Sequence, residues 1–161
     1  RCSFSLLASH LLGRTKKWNT SNSNAGGWAN SELNNSLNTR LYNAIPIQIR
    51  GLLKKVIVHS SVGQMSTELS SSDCYITIPA LIEVDPTQTA EPYNSEGVSI
   101  SYLSTNDSRK RAFDGGDYDA YWLRTPNVGY ANYIWRVDEK GQTQGITNAT
   151  TSLGVLIEIS L

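Results

Sequence analysis

The residues best equipped for chemistry lie between positions 113 and 137. Residues 113–122, FDGGDYDAYW, hold Asp114, Asp117 and Asp119 beside two glycines. Clustered carboxylates on a flexible loop are hard-oxygen ligands of the kind calcium takes. The stretch is no EF-hand, because a bidentate Glu is missing from the required position, and a solvated turn is the simpler account. Next comes Arg124, between Trp122 and Pro126. Its planar fork suits a carboxylate or phosphate ligand. The preferred alternative is a structural arginine bonded to carbonyls or a carboxylate beneath a hairpin, since buried charges are normally paired. Finally Tyr118, Tyr121, Tyr130, Tyr133 and Trp135 can form an aromatic surface for sugar stacking or protein contact. Side chains alternate along a strand, so Tyr133 and Trp135 share one face and Ile134 and Arg136 the other. Trp135 is therefore expected in the core, and the turn residues Asn127, Tyr130 and Asn132 at the surface. The candidate ligand-binding set is Asp117, Tyr118, Tyr121, Asn127, Tyr130, Asn132 and Tyr133. Mixed Tyr and Asn is what adaptable binding loops use, and it is also what ordinary turns contain.

Catalysis finds little support. His10 and His59 can be combined on paper with a serine and an aspartate, but no G-x-S-x-G elbow is present. Neither is a P-loop, a dinucleotide fingerprint or a zincin helix. His59 ends an apolar run, where a structural role is the default. Cys2 and Cys74 are the two cysteines; they are no disulfide framework and are read as free or buried thiols. With two histidines they give none of the zinc-ligand spacings. The expectation is a non-enzyme without a cofactor, calcium being the one candidate ion.

These residues need a scaffold, and its centre is residues 120–141, AYWLRTPNVGYANYIWRVDEKG. Tyr121 to Leu123 form one arm of a hairpin, residues 126–129 (PNVG) the turn, and Tyr133 to Val137 the other arm. Aromatic and β-branched residues favour a pleated, half-buried surface, and a Pro/Asn/Gly cluster between them is turn chemistry. A second reversal is expected at residues 138–141. Upstream, residues 24–45 carry Trp28, Leu33, Leu37 and Leu41 or Tyr42 close to helical spacing. Asn30 or Ser31 serves as N-cap and Glu32 sits at the positive end. Pro46 starts a short second helix to Leu53. Strands are expected at 55–60, 75–78, 98–103 and 154–161, with a polar connection at 62–67, a short helix or turn at 80–84 and a helical turn around 109–113.

Composition bounds the rest. The 161 residues carry 14 basic and 14 acidic side chains and are 17% charged. There is no basic footprint for nucleic acid and no run of the roughly 20 apolar residues that span a bilayer. Asn, Ser and Thr supply the polarity, as in many extracellular and virion proteins. The first residues, Arg1-Cys2 without Met, suggest numbering that begins inside a longer polypeptide or after processing. Residues 1–23 are read as an N-terminal strand and linker, and 24–161 as one domain.

Three pieces carry a family resemblance. They are residues 26–38 (GGWANSELNNSLN), the block 45–84, and residues 121–142 (YWLRTPNVGYANYIWRVDEKGQ) with the later GVLIEI at 154–159. Together they resemble an uncharacterised bacterial and phage domain family marked by a Trp-Leu-Arg-Ser-Pro strand end and a late glycine-initiated strand. Trp28, Trp122, Arg124, Pro126 and Trp135 are the motif positions. Thr125 departs from the usual Ser, and the last strand lacks the Arg-Pro of many bacterial members. The middle block looks nearest to the phage-borne branch, found in tail and other virion proteins. The family is similar in pattern to C-type-lectin-like domains, a group that includes the sulfatase-modifying factors. The resemblance implies an α+β, C-type-lectin-like fold with two helices flanking small twisted antiparallel sheets. It implies a non-enzymatic virion piece of tail, fibre or head decoration, which binds another virion protein or a host surface glycan, as a symmetric homo-oligomer. The alternative is a secreted or surface-anchored bacterial adhesion domain. The fold alone does not decide between them.

Overall fold

In the computed structural model, residues 4–161 are described; Cys2, and any pairing it makes, lies outside them. The elements in order are β1 (Ser5–Leu7), β2 (Lys16–Lys17), α1 (Glu32–Ser36), α2 (Tyr42–Ala44), α3 (Ile47–Arg50), β3 (Val56–Ser61), β4 (Leu69–Cys74), β5 (Ile76–Thr77), α4 (Leu81–Val84), α5 (Asn106–Arg109), β6 (Tyr121–Pro126), β7 (Tyr133–Val137), β8 (Thr143–Asn148), β9 (Ser152–Leu153) and β10 (Glu158–Ser160). Short helices and small antiparallel sheets make this an α+β architecture. The strands pair as β1-β10-β5, β2-β9, β3-β4 and β6-β7-β8.

The helix expected over 24–45 starts only at Glu32, after a 3-10 turn at Trp28–Asn30, and it forms because Leu33 and Leu37 have a core to enter. Ser31 caps it, its Oγ accepting from Asn34 N at 3.0 Å, a contact typically worth about 1 kcal/mol. Trp28, Leu33 and Leu37 are buried. A wider π-helical turn, Leu37–Leu41, joins α1 to α2. The second helix is shorter than expected and lies outside the core: Ile47, Ile49 and Leu52 are 69%, 49% and 63% exposed.

All six residues of β6 are buried, so the strand divides two cores. Trp122 packs with Trp18, Trp28, Ile76, Ile78 and Val155. Tyr121 and Leu123 enter the other core with Leu81, Val84, Leu103 and Leu156. Residues read as an N-terminal linker contribute to both. Trp18 and Leu11 are buried, and β1 pairs with β10 from Ser5↔Ser160 to Leu7↔Glu158. The segment drawn apart at residue 23 is thus woven into the same body as the rest.

Several local expectations are corrected. The alternating residues 98–103 form no strand; Ser101–Leu103 is a 3-10 turn, Leu103 is buried, and Val98 is 83% exposed. The polar run at 69–74 is a strand instead, paired residue for residue with β3. Pro126, assigned to the turn, ends β6 and pairs with Ile134. Trp135, expected in the core, is half-buried, whereas Ile134 and Val137 are fully buried. A register shift between Ile134 and Arg136 breaks the two-residue alternation. Trp135 meets Tyr93 edge-on instead, with ring centroids 5.7 Å apart.

Candidate functional site

The hairpin β6–β7 delivers its candidates to two different environments. Its base is a charged knot. Arg124 is 2% exposed, and every N–H of its guanidinium is used. Nε donates to His59 O at 3.1 Å, Nη1 to Ile78 O at 2.8 Å and Glu83 Oε2 at 2.8 Å, and Nη2 to Glu83 Oε1 at 2.7 Å and Glu96 O at 2.6 Å. A guanidinium has five donors, so none is left for an external anion. The structural reading of Arg124 is the one the geometry gives. Burial alone works against its charge, but Glu83 and then Glu96 hold the guanidinium on.

Glu96 extends the knot. It is 1% exposed; Ser61 N donates to its Oε1 at 2.8 Å, and the Thr125 hydroxyl donates to its Oε2. Thr125 Oγ1 in turn accepts from Leu81 N at 2.9 Å. Burial pushes the Glu96 carboxyl up to about 7 against the pull of Thr125, Ser61 and Arg124. Here Thr125 links β6, α4 and the Glu96 loop.

The tip of the hairpin is the opposite case. Asn24 is fully buried and its Nδ2 donates to the carbonyls of Asn127, Tyr130 and Tyr133 at 3.3, 2.7 and 3.1 Å. Its Oδ1 accepts from Gln64 N at 2.8 Å, and its own N–H donates to Ala131 O at 2.9 Å. Gln64 Nε2 donates to Ala131 O at 3.1 Å. Asn22 and Asn132 both donate to Asn148 Oδ1, at 3.1 and 2.9 Å. Gly63 fits because a Cβ there would lie 2.0 Å from Asn24 O, and its φ is +75°. Four segments far apart in sequence thereby meet on one face. Residues 18–31, 60–67, 125–135 and 141–157, from which that face is drawn, contain no Asp, Glu, Lys or Arg, in a chain that is 17% charged. Tyr130 is 54% exposed, and its ring lies 5.1 Å from that of Tyr133 at 49°.

The predicted set therefore divides. Asn127, Tyr130, Asn132 and Tyr133 belong to the loop that Asn24 fixes, in a segment without charged residues. Tyr121 does not belong to any surface: it is fully buried, and its hydroxyl donates to Arg109 O at 2.9 Å. Sequence alone does not separate a tyrosine on a strand buried on both faces from one on a binding surface. Asp117 and Tyr118 are exposed. Tyr118 lines a different groove with Ser9, Tyr102 and Lys110, its ring 5.8 Å from Lys110 Nζ. Among the described residues, no group of three His, Cys, Asp or Glu is placed to hold a metal ion, and Asp119 Oδ1 is spent on Ala120 N at 2.7 Å. The structural motif residues lie where a scaffold needs them, with Trp28, Trp122 and Pro126 buried and Trp122 Nε1 donating to Lys16 O at 2.8 Å.

His59 does meet a serine: Ser71 Oγ lies 3.0 Å from its Nδ1. The two are cross-strand neighbours on the exposed side of β3 and β4. Cys74 is buried, with its Sγ 3.4 Å from Asn34 Oδ1. The residues that sequence reasoning missed are Asn24, Gln64, Asn22 and Asn148; the available signal was the run of charge-free segments.

No curated protein and no solved structure matches the chain. A family model described as a domain of unknown function, DUF6273, matches residues 4–157. That span takes in both the charged knot and the charge-free face, and the chain belongs to the DUF6273 family.

Proposed function

We propose that this chain is a non-catalytic recognition module of C-type-lectin-like fold, which binds a neutral glycan of a host surface through the face around Tyr130 and Tyr133. The observation that carries the reading is the Asn24-centred convergence of charge-free segments. Asn24 fixes the backbone of the loop, so a ligand that binds there incurs little further backbone-ordering cost. Carboxamides and hydroxyls donate and accept, as sugar hydroxyls require. Tyrosine rings add rigid apolar area beside a polar tip. A face without ionised groups has no charge to desolvate when a neutral ligand covers it. The family resemblance supplies the setting, an adsorption or assembly piece of a phage tail, fibre or head decoration. The same face would serve a secreted or surface-anchored bacterial adhesin.

A glycan array with the wild type, Tyr130→Ala and Tyr133→Ala tests the reading. Neutral glycans are expected to bind the wild type and to be lost from both variants, while Tyr118→Ala binds normally. Hits that ignore Tyr130, or that are all acidic glycans, would overturn it. The exposed apolar side chains of α3 support a symmetric homo-oligomer among virion partners, and light scattering of the purified chain checks that.

A further inference from the structure

Beside the charged knot lies a cavity of about 490 Å³, lined by residues of β1, β3, α4, β6 and β10 and by the loop at 96–100. Pockets of roughly 300–1,000 Å³ hold small ligands, characteristically with apolar walls and a few convergent polar groups. Leu7 and Ile100, with Ile57 and Val98 at the open rim (66% and 83% exposed), supply apolar surface here, and Glu83, Glu96, Glu158 and Arg124 the polar groups. The backbone is drawn in close: a Cβ on Gly97 would lie 2.3 Å from Glu83 Oε1.

The polar groups are unequally satisfied, and that decides what fits. Arg124 has spent all its donors on the protein, so an anion entering the cavity finds no N–H there. Glu83 is answered by Arg124 and by Ala80 N at 2.8 Å. Glu96 is answered by Ser61 and Thr125. Glu158 is different. It is half-buried, and among the described residues no Lys, Arg or His lies within ion-pair distance of it. Burial and the neighbouring Glu83 raise its carboxyl, with Arg124 and Ser5 pulling the other way. Carboxylates outnumber cations at this wall, and a partly buried carboxylate without a counter-ion is costly unless something else supplies one.

We propose that this cavity is a binding site for a small organic cation, a primary alkylammonium whose head meets Glu158 and whose short tail lies along Leu7, Ile57 and Val98. An ammonium brings three donors and a positive charge, which is what Glu158 lacks. The apolar walls select a cation with a carbon tail over a bare metal ion. The site shares no residue with the Tyr130 face and stands or falls without it.

The test is a titration of the whole chain with n-butylammonium, followed by amide chemical shifts, with butan-1-ol, butyrate and methylammonium as comparisons. Saturable shifts around Ser5, Ile57 and Glu158 are expected with butylammonium, at least tenfold tighter than with butanol or methylammonium and absent with butyrate. E158Q should weaken butylammonium tenfold or more, and Tyr130→Ala should leave it unchanged. Equal binding of butanol and butylammonium, tighter butyrate, or an unaffected E158Q would overturn the proposal. If E158Q fails to fold, Ile57→Ser, at a side chain 66% exposed, takes its place. It should abolish the preference for butylammonium over methylammonium, and a preserved preference would overturn the proposal.

Discussion

The two ends of the β6–β7 hairpin handle polar groups in opposite ways. At the base, Arg124 and Glu83 bring full charges inside, with Glu96 beside them, and consume them in mutual contacts. At the tip, Asn24 and Gln64 organise the backbone with neutral carboxamides and leave Tyr130 and Asn132 turned to the surface. Charge is the stronger fastener but demands complete satisfaction once buried. Amides fasten less tightly, and a surface built from them can exchange water for a ligand at low desolvation cost. Saturated charge at the base is scaffold chemistry, whereas neutral amides at the tip are the chemistry on which the proposed recognition rests.

The comparison breaks first at Arg124. Arg124→Met leaves Glu83, whose side chain is 13% exposed, without its counter-ion, and losing one partner of a largely buried pair typically costs about 3 kcal/mol. Urea unfolding should show that loss, and Arg124→Lys should recover little of it, because an ammonium cannot reproduce the five-donor fork. A loss below about 1 kcal/mol would remove the base from the scaffold.

Glu96 gives the next largest effect, and its sign is fixed. The folded carboxyl titrates at about 7 against an ordinary value of 4.5. Between those pH values the folded chain holds a proton that the unfolded chain releases. Its stabilising contribution is therefore complete below pH 4.5 and is lost as pH rises through 7. The span corresponds to a loss on the order of 3 kcal/mol. Stability measured from pH 5 to 8 should fall in the wild type relative to Glu96→Gln, whose amide does not titrate. Parallel profiles would show that Glu96 is not buried as described.

Asn24→Ala comes third. It removes the amide that the carbonyls of Asn127, Tyr130 and Tyr133 share, and the acceptor of Gln64 N. At about 1 kcal/mol net per hydrogen bond, thermal or urea unfolding should register a loss of about 2–3 kcal/mol. Ligand binding at the tip should disappear with it. The smallest effect on stability belongs to Tyr130→Ala, within about 0.5 kcal/mol as for other surface positions, combined with loss of glycan binding. That separation of binding from stability is what distinguishes the tip from the base.

Much of the scaffold was legible because its signals are local. The helix cap at Ser31, the stripe Trp28-Leu33-Leu37 and the aromatic arms of the hairpin each declare themselves within a few residues. What escaped was polar or distant. Residues 69–74 (LSSSDC) and 143–148 (TQGITN) are strands whose exposed faces erase the apolar alternation. The partners of Arg124 lie 41 and 28 positions away, so its structural role could be preferred but its counter-ion not named. Tyr121 misled because a tyrosine in a strand buried on both faces has the same composition as one on a binding surface. Asn24 misled in the other direction, since asparagine is the commonplace of turns and its burial depends on loops more than a hundred residues downstream.

The pairing of β1 with β10 and of β2 with β9 has a kinetic consequence. Ser5 meets Ser160 and Lys16 meets Leu153, so the strands made first within this domain wait for nearly its last residues. Long-range pairings of this kind slow folding, since a large loop must close before the contact is made. Until then Leu11 and Trp18 have no complete core to enter, and a nascent chain carries them exposed. Folding of this domain should therefore be a late, concerted event, gated by arrival of the segment that holds Leu153, Val155 and Leu156.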